Sequence, residues 1–251
     1  MVIGAQLYTV REFTQTEKDF EQTIKKIADI GYRYVQISGA GPIPPKRFAE
    51  ICASYDVKPV ITHTAPNLIK DSTDEVIENH RIMGAKYVGV GMMPGEYHEG
   101  AEGTKKFIVD FLPAAKKIRD AGLLFMYHNH AFEFEKVAGK LRMELLSDGF
   151  APELMGFTLD TYWVQAGGGD PAQWLERLNG RVEVIHIKDM KIVEGKQRGC
   201  EIKEGNLNWP AIYAACEKAG VKYAMVEQDN SYGDDPFDCL KLSFENSKGD
   251  F

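Results

Sequence analysis

The sequence repeats one local pattern along its length: a short apolar run, a polar loop, and a longer segment with helical spacing of apolar residues. Four repeats close with a glycine followed by an apolar run: "IGYRYVQI", "MGAKYVGV", "AGLLFMYH" and "AGVKYAMV". Glycine commonly ends helices, and runs of β-branched and aromatic residues are typical of strands. The repeat therefore predicts helices that alternate with the strands of a parallel sheet.

Eight segments have the composition of strands. They are residues 2–10, 32–38, 57–64, 85–92, 123–130, 154–160, 182–189 and 222–229. Eight units in 251 residues give about 31 residues each, which is the size expected for a (β/α)8 barrel. A doubly wound open sheet is the alternative, but no predicted strand is followed by a G-x-G-x-x-G turn. We predict an α/β fold, a single-domain (β/α)8 TIM barrel over residues 1–251.

Composition and charge argue against several classes of function. The chain has 30 Lys and Arg against 37 Asp and Glu, a net charge of −7, which disfavours binding to nucleic acid. Its four cysteines form no C-x-x-C pair, so they indicate thiols in a reducing compartment. The polar N-terminal segment and the lack of an apolar stretch of about 18 residues predict neither a secretory signal nor a membrane span. We expect a cytoplasmic protein that does not bind membranes.

Ionisable residues end several of the predicted strands, where the active site of a barrel lies. Asp160, His186 and Glu227 belong to the sixth, seventh and eighth strands, and each continues a mostly uncharged inward-facing row. Singly, each has an ordinary explanation, such as a turn residue or a core histidine. Together, carboxylates and an imidazole on consecutive strands, with a donor from the fifth, suit a divalent metal such as Mn2+, Mg2+, Co2+ or Zn2+.

The order of the motifs adds a family resemblance. "GAQLYTVRE", "GYRYVQISG", "YHNHAFEF", "LDTYWVQAGG", "VIHIKD", "EGNLNWPAI" and "MVEQD" together resemble the xylose isomerase-like TIM barrel superfamily, in its sugar phosphate isomerase/epimerase branch. The resemblance covers essentially the whole chain. It implies one divalent metal, with Mn2+ favoured, held by strands five to eight. Asp160, His186 and Glu227 fall on the family's ligand positions of strands six to eight.

The fifth strand departs from that family pattern. Relatives that epimerise ketohexoses carry a glutamate there, in a segment resembling L-E-P-x-N, whereas this chain has His128 and then Glu133 five residues later. We expect either His128 or Glu133 to be the fourth metal ligand. Glu133 is favoured because a third carboxylate suits a hard cation. His130, or whichever of the other two remains, is then placed to move a proton.

The candidate metal ligands and proton-transfer residues together predict a metal-dependent isomerase or epimerase of a sugar, keto-sugar or polyol derivative. A metal that binds a carbonyl and the adjacent hydroxyl acidifies the C–H bond between them and stabilises a cis-enediolate. We assign the acid and base roles to Glu227 and Glu133, with His130 as an alternative. The same enediolate can expel a β-substituent, so a lyase or dehydratase acting on a 3-keto-sugar or glycoside is the first alternative. A metal-dependent hydrolase is the second, and a non-enzymatic sugar-binding protein would not need a carboxylate-rich metal shell.

Further polar and aromatic residues near the strand ends are candidates for binding a small carbohydrate. They are His63, Gln36, Lys188, Asp189, Glu204 and Trp163. The sequence leaves open the substrate, its phosphorylation and the metal. A homo-oligomer is also left open, since Met92 and Met93 could serve an interface or a pocket wall.

Overall fold

The computed structural model describes residues 1–250, and its central feature is a closed barrel of eight parallel strands. The strands are β1 (Val2–Gln6), β2 (Tyr34–Ile37), β3 (Lys58–His63), β4 (Tyr87–Val90), β5 (Leu124–His128), β6 (Met155–Asp160), β7 (Val184–Ile187) and β8 (Tyr223–Val226). Each strand pairs with its neighbour in sequence, and β8 closes the barrel against β1. The predicted (β/α)8 fold is confirmed, and each barrel strand lies inside its predicted segment.

Helices connect the strands and surround the barrel. They are α1 (Glu17–Ile30), α2 (Pro45–Ser54), α3 (Pro66–Asp71), α4 (Thr73–Met83), α5 (Gly100–Asp120), α6 (Arg142–Gly149), α7 (Thr161–Ala166), α8 (Pro171–Arg177), α9 (Trp209–Ala219) and α10 (Pro236–Ser247). Helix α1 shows why such segments fold: Thr16 caps its first turn, and Phe20, Ile24 and Ile27 form its buried face. It ends at Gly31, whose φ of 126° is readily adopted by glycine. No helix within residues 1–250 is long and apolar enough to cross a membrane.

Two of the differences between the structure and the predicted elements lie at the barrel mouth. The first predicted strand stops at Gln6, because the Gln6 side chain accepts a hydrogen bond from the Tyr8 backbone N–H and a 3-10 helix, Leu7–Phe13, follows. In addition, an antiparallel hairpin pairs Asp189–Val193 with Lys196–Cys200 beyond the barrel mouth. The exposed residues of this hairpin carry no clean alternation of apolar and polar side chains, which is why the sequence pattern did not predict it.

A layer of apolar side chains fills the barrel just below its C-terminal mouth. Ile61, Met126, Val184 and Met225 belong to one buried cluster. Each of these residues lies two positions before a polar residue. The four polar residues are His63, His128, His186 and Glu227, in the same order. Because side chains two apart on a strand share a face, the apolar layer supports a polar layer directly above it.

Two glycines make room for the bulkiest members of this layer. A Cβ atom at Gly156 would lie 2.6 Å from the sulfur of Met126, and one at Gly4 would lie 2.6 Å from the sulfur of Met225. Neither distance is possible for real atoms, so these positions accept no side chain without repacking. The methionines thus lie in space left by glycines on neighbouring strands.

Candidate metal centre and active-site cavity

Four ionisable side chains converge at the C-terminal mouth of the barrel. His128, Asp160, His186 and Glu227 each offer one ligand atom, and these four atoms lie within 4.8 Å of one another. His128 and Asp160 end β5 and β6, His186 lies in β7, and Glu227 directly follows β8. All four are buried, at 4% exposure or less. Consecutive parallel strands place them together because their carboxyl ends meet at one rim.

Gln36 fixes the orientation of the His186 imidazole. Nε2 of His186 lies 2.7 Å from Oε1 of Gln36, and because an amide oxygen only accepts, Nε2 is the donor. Nδ1 therefore faces the centre of the group, 2.9 Å from Oε2 of Glu227 and 3.8 Å from Oδ2 of Asp160. This arrangement, with one ring nitrogen held by a neighbour and the other free to ligate, is typical of metal-binding histidines.

His128 is held in the same manner by the backbone. Its Nδ1 lies 2.9 Å from the carbonyl oxygen of Gly91, so Nδ1 donates and Nε2 faces the group. Nε2 is 3.3 Å from Oδ2 of Asp160. The two histidines thus present opposite ring nitrogens, Nε2 of His128 and Nδ1 of His186, to the same space.

The two carboxylate oxygens of Asp160 have different roles, one in capping a helix and one in the candidate metal site. Oδ1 accepts a hydrogen bond from the Trp163 backbone N–H and so caps helix α7. Oδ2 faces His128, His186 and the ammonium of Lys188, which lies 3.6 Å away. Burial alone would raise the pKa of Asp160, but Lys188 and the histidines outweigh it and hold the pKa well below its usual range. The carboxyl group is therefore ionised and available to a cation.

The charges and unpartnered atoms of this group fit a divalent cation. Nδ1 of His186 and Oε2 of Glu227 have no hydrogen-bond partner among the described residues, although they lie 2.9 Å apart. Burial lowers the pKa of His186, but Glu227 and Asp160 more than reverse this and raise it to about 9. In the metal-free protein a proton thus offsets part of the carboxylate charge. A metal ion would displace that proton, as is usual when histidine becomes a ligand.

Lys188 supplies a permanent positive charge beside this group. Its ammonium lies 3.5 Å from Glu227 and 2.6 Å from Asp229, and it is 2% exposed. Burial lowers the pKa of Lys188, but the surrounding carboxylates outweigh this and raise it above its ordinary value. Lys188 therefore stays protonated and lies ready to bind an electron-rich oxygen of a ligand.

Glu133 lies apart from the four-residue group, contrary to the preference for it as the fourth ligand. Its Oε1 accepts a hydrogen bond from the Tyr127 hydroxyl at 2.6 Å, and its Oε2 accepts one from the His130 backbone N–H at 2.7 Å. The side chain is fully buried, and burial raises the pKa of Glu133 to about 8. A 3-10 turn at Phe132–Phe134 directs it back onto its own loop. The structure therefore brings His128, and not Glu133, to Asp160, His186 and Glu227. Glu133 does not line the cavity either, so it is not placed there to act as an acid or base.

A cavity of about 670 Å3 opens above the group. Its lining includes Tyr8, Arg11, Ser38, His63, Met92, His128, His130, Trp163, Glu227 and Asp229. Nε2 of His63 and Nδ1 of His130 are buried there without a hydrogen-bond partner among residues 1–250. Burial, and then the nearby His128, lower the pKa of His130 to about 3 and that of His63 well below its usual range. Both imidazoles are therefore neutral at neutral pH.

The remaining predicted substrate-binding residues separate into two sets. His63, Gln36, Lys188 and Trp163 lie at or beside the cavity. Asp189 instead accepts hydrogen bonds from four backbone N–H groups and the Trp209 indole, and it is fully buried. Glu204 is exposed and accepts a hydrogen bond from Asn246. Neither residue lines the cavity: Asp189 organises the loop after the hairpin, and Glu204 lies on the surface, so substrate binding by these two residues stays a prediction.

Some cavity residues were not singled out from the sequence. Asp229 lies two residues after Glu227, so the alternation that indicated Glu227 extends to it. Tyr8 and Arg11 belong to the 3-10 helix after β1, whereas the pattern predicted a strand that continues to residue 10. The guanidinium of Arg11 donates to the carbonyl oxygens of Tyr8 and Asp229, which no local pattern reveals.

Comparison with known proteins agrees with the barrel fold. The solved structure of a sugar phosphate isomerase/epimerase from Parabacteroides distasonis ATCC 8503 is similar, with a TM-score of 0.82 and 23% identity over 96% of this chain and 91% of that one. The structure of the IOLI protein with a bound zinc atom has a TM-score of 0.76 and 16% identity, over 100% and 98% of the two chains. An inosose dehydratase from Geobacillus kaustophilus (strain HTA426) is 29% identical over 124 residues, 43% of this chain and 39% of that relative. The family model for xylose isomerase-like TIM barrels matches residues 24–238, so the chain belongs to that family.

Proposed function

We propose that this protein is a divalent-metal-dependent isomerase or epimerase of a sugar or sugar derivative. The convergence of four ligand atoms beneath the cavity carries the proposal. Those atoms are Nε2 of His128, Oδ2 of Asp160, Nδ1 of His186 and Oε2 of Glu227. Two imidazoles with two carboxylates suit Zn2+, Co2+ or Mn2+ better than Mg2+, which prefers oxygen ligands.

The bound ion would polarise a sugar carbonyl and its neighbouring hydroxyl, and so acidify the C–H bond beside the carbonyl. Around it, the chain supplies groups that can accept and return the proton. Glu227 lines the cavity, and neutral His130 presents an unpartnered Nδ1 there in the role first assigned to Glu133. His63 is a third candidate, because its ring centre lies 5.1 Å from that of His128 and its Nε2 is also free.

Residues around these groups can bind and orient the sugar. The ammonium of Lys188 can donate to a hydroxyl or to an oxygen that gains negative charge. The indole of Trp163 lies 5.2 Å from the ring centre of His130 and offers an apolar face to the C–H side of a sugar ring. Glu133 supports this arrangement from behind, by holding the backbone of His130.

A β-elimination is the second candidate reaction. It is favoured by His128, which stands on the fifth strand where ketohexose epimerases of the resembled family carry a glutamate, so this strand contributes no carboxylate to the converging group. Elimination needs one base and one acid, and His63 with His130 can supply them. The relative named inosose dehydratase supports this alternative.

Hydrogen exchange with solvent tests the proposal directly. Metal-loaded protein in D2O is incubated with a panel of ketoses and keto-sugars, and NMR follows deuterium at the carbon beside the carbonyl. Isomerisation or epimerisation places deuterium in a rearranged sugar, whereas elimination yields an unsaturated ketone. The Asp160→Ala, His186→Ala double variant is the control. Absence of both deuterium exchange and an unsaturated ketone across the panel, with protein that has bound metal, would count against both reactions.

A further inference from the structure

A second cavity of about 620 Å3 adjoins the catalytic one. The two share five lining residues, which are Ser38, Gly39, Ala40, His63 and Thr64. The second cavity extends outward between the segment that joins β2 to α2 and the segment that contains α3 and α4. We call it the outer crevice. Each cavity alone has the volume of a small-molecule site, so a sugar does not need both.

Apolar side chains form much of the lining of the outer crevice, beside polar ones such as Glu75 and Asn79. Ile37, Ile43, Phe48, Leu68, Val76 and Met83 line it, with prolines 42, 44 and 45. No lysine or arginine lines it, so nothing there would hold a phosphate group. Its buried histidine, His80, contacts Thr62 and the Val76 carbonyl oxygen through its two ring nitrogens, so neither nitrogen is left free for a ligand.

Three exposed apolar side chains lie along the same cleft. Leu68, in the outer crevice, is 44% exposed, and Met92 and Tyr8, at the catalytic cavity, are 51% and 37% exposed. Large apolar side chains grouped around a concave surface are typical of ligand-binding sites. Their position on both sides of the shared boundary indicates a single ligand that extends across it.

We propose that the substrate is a sugar that carries an apolar, aryl-type substituent, and that this substituent occupies the outer crevice. The inference rests on the proposed function, which assigns the sugar ring to the metal end of the cleft. A free or phosphorylated monosaccharide would leave the exposed apolar side chain of Leu68 uncovered. A glycoside with an apolar aglycone covers it, and burial of that group supplies affinity that the sugar alone lacks.

Methyl NMR of protein labelled at isoleucine, leucine and valine tests the inference. The probes are phenol and phenyl β-D-glucopyranoside, with methyl β-D-glucopyranoside as the control that lacks the aryl group. We expect saturable shifts of the Ile43, Leu68 and Val76 signals with either aryl compound and none with the methyl glycoside. If these signals stay unmoved up to the solubility limit of both aryl compounds, or respond equally to the methyl glycoside, the inference is overturned.

Two matched variants test whether the aryl group binds in the outer crevice. Leu68→Asp places a charge in the outer crevice and should weaken aryl binding at least about tenfold. Ile82→Asp lies on α4 outside the cavity lining, at a similar exposure of 43%, and should leave aryl binding unchanged. Equal binding by both variants would overturn the inference. Metal content measured on the same wild-type sample separates the two claims, because a failed metal site with intact aryl binding contradicts the proposed function alone.

Discussion

Nε2 of His186 donates a hydrogen bond of 2.7 Å to Oε1 of Gln36, and this bond leaves Nδ1 facing Glu227. Gln36→Leu removes the acceptor, so the imidazole can rotate or change tautomer. We expect metal affinity to fall about 10- to 100-fold, as is usual when such a supporting residue is lost. Gln36→Glu keeps an acceptor and should retain most of the affinity. Competition with a chelator measures both; equal losses would contradict this role for Gln36.

Replacement of His128 and replacement of Glu133 should have opposite effects on metal content. His128→Ala should lose metal, whereas Glu133→Ala should retain it, because Glu133 is not among the four converging residues. Glu133→Ala should instead destabilise the fold by about 2 kcal/mol or more, since the Tyr127 hydroxyl and the His130 N–H lose their acceptor. Glu133→Gln is the conservative control. Loss of metal in Glu133→Ala, with retention in His128→Ala, would restore the assignment first made from the sequence.

His130 should affect proton transfer without affecting metal binding. His130→Ala removes a neutral imidazole from the cavity, and we expect deuterium exchange at the substrate carbon to slow by about 10²- to 10⁴-fold. Metal content should stay unchanged, because His130 is not in the converging group. His98→Ala is the control, since His98 contacts the Met93 carbonyl oxygen away from this cavity. Exchange at the wild-type rate in His130→Ala would assign the proton transfer to Glu227 or His63.

Glu183, at the opposite end of the barrel, should make stability depend on pH. Burial raises its pKa, but hydrogen bonds from Lys222, Tyr87 and Lys86 outweigh this and lower the pKa from 4.5 to about 2. The ionised form is therefore favoured in the folded state, by about 1 to 3 kcal/mol after allowance for solvent screening. This stability is present above pH 4.5 and is lost as the pH falls through 2.

The variant Glu183→Gln measures that contribution. Denaturant unfolding should show it less stable than wild type near pH 7 and equally stable near pH 2. Glu217→Gln, at an exposed position of α9, is the control and should match wild type throughout. A difference between Glu183→Gln and wild type that does not change with pH would contradict the electrostatic explanation.

The barrel and most of the converging group could be predicted from the sequence because both depend on local patterns. Strand alternation placed Asp160, His186 and Glu227 on inward faces, and the barrel fold brought these faces to one rim. The choice between His128 and Glu133 depended on a 3-10 turn of three residues, which leaves no periodic signal. The loop-organising role of Asp189 left no local signal for a similar reason: its acidic side chain at a strand end serves a loop whose donors lie 14 to 20 residues further along. That residues 1–251 form one domain stays a prediction.

The central claim is that this barrel holds one divalent metal through His128, Asp160, His186 and Glu227. Elemental analysis of purified protein, after supply with Zn2+, Co2+ or Mn2+ and removal of the excess, measures it most directly. We predict about one metal ion per chain in the wild type and none in the Asp160→Ala, His186→Ala double variant. A wild type that retains no metal, or a double variant that retains as much as the wild type, would contradict the account.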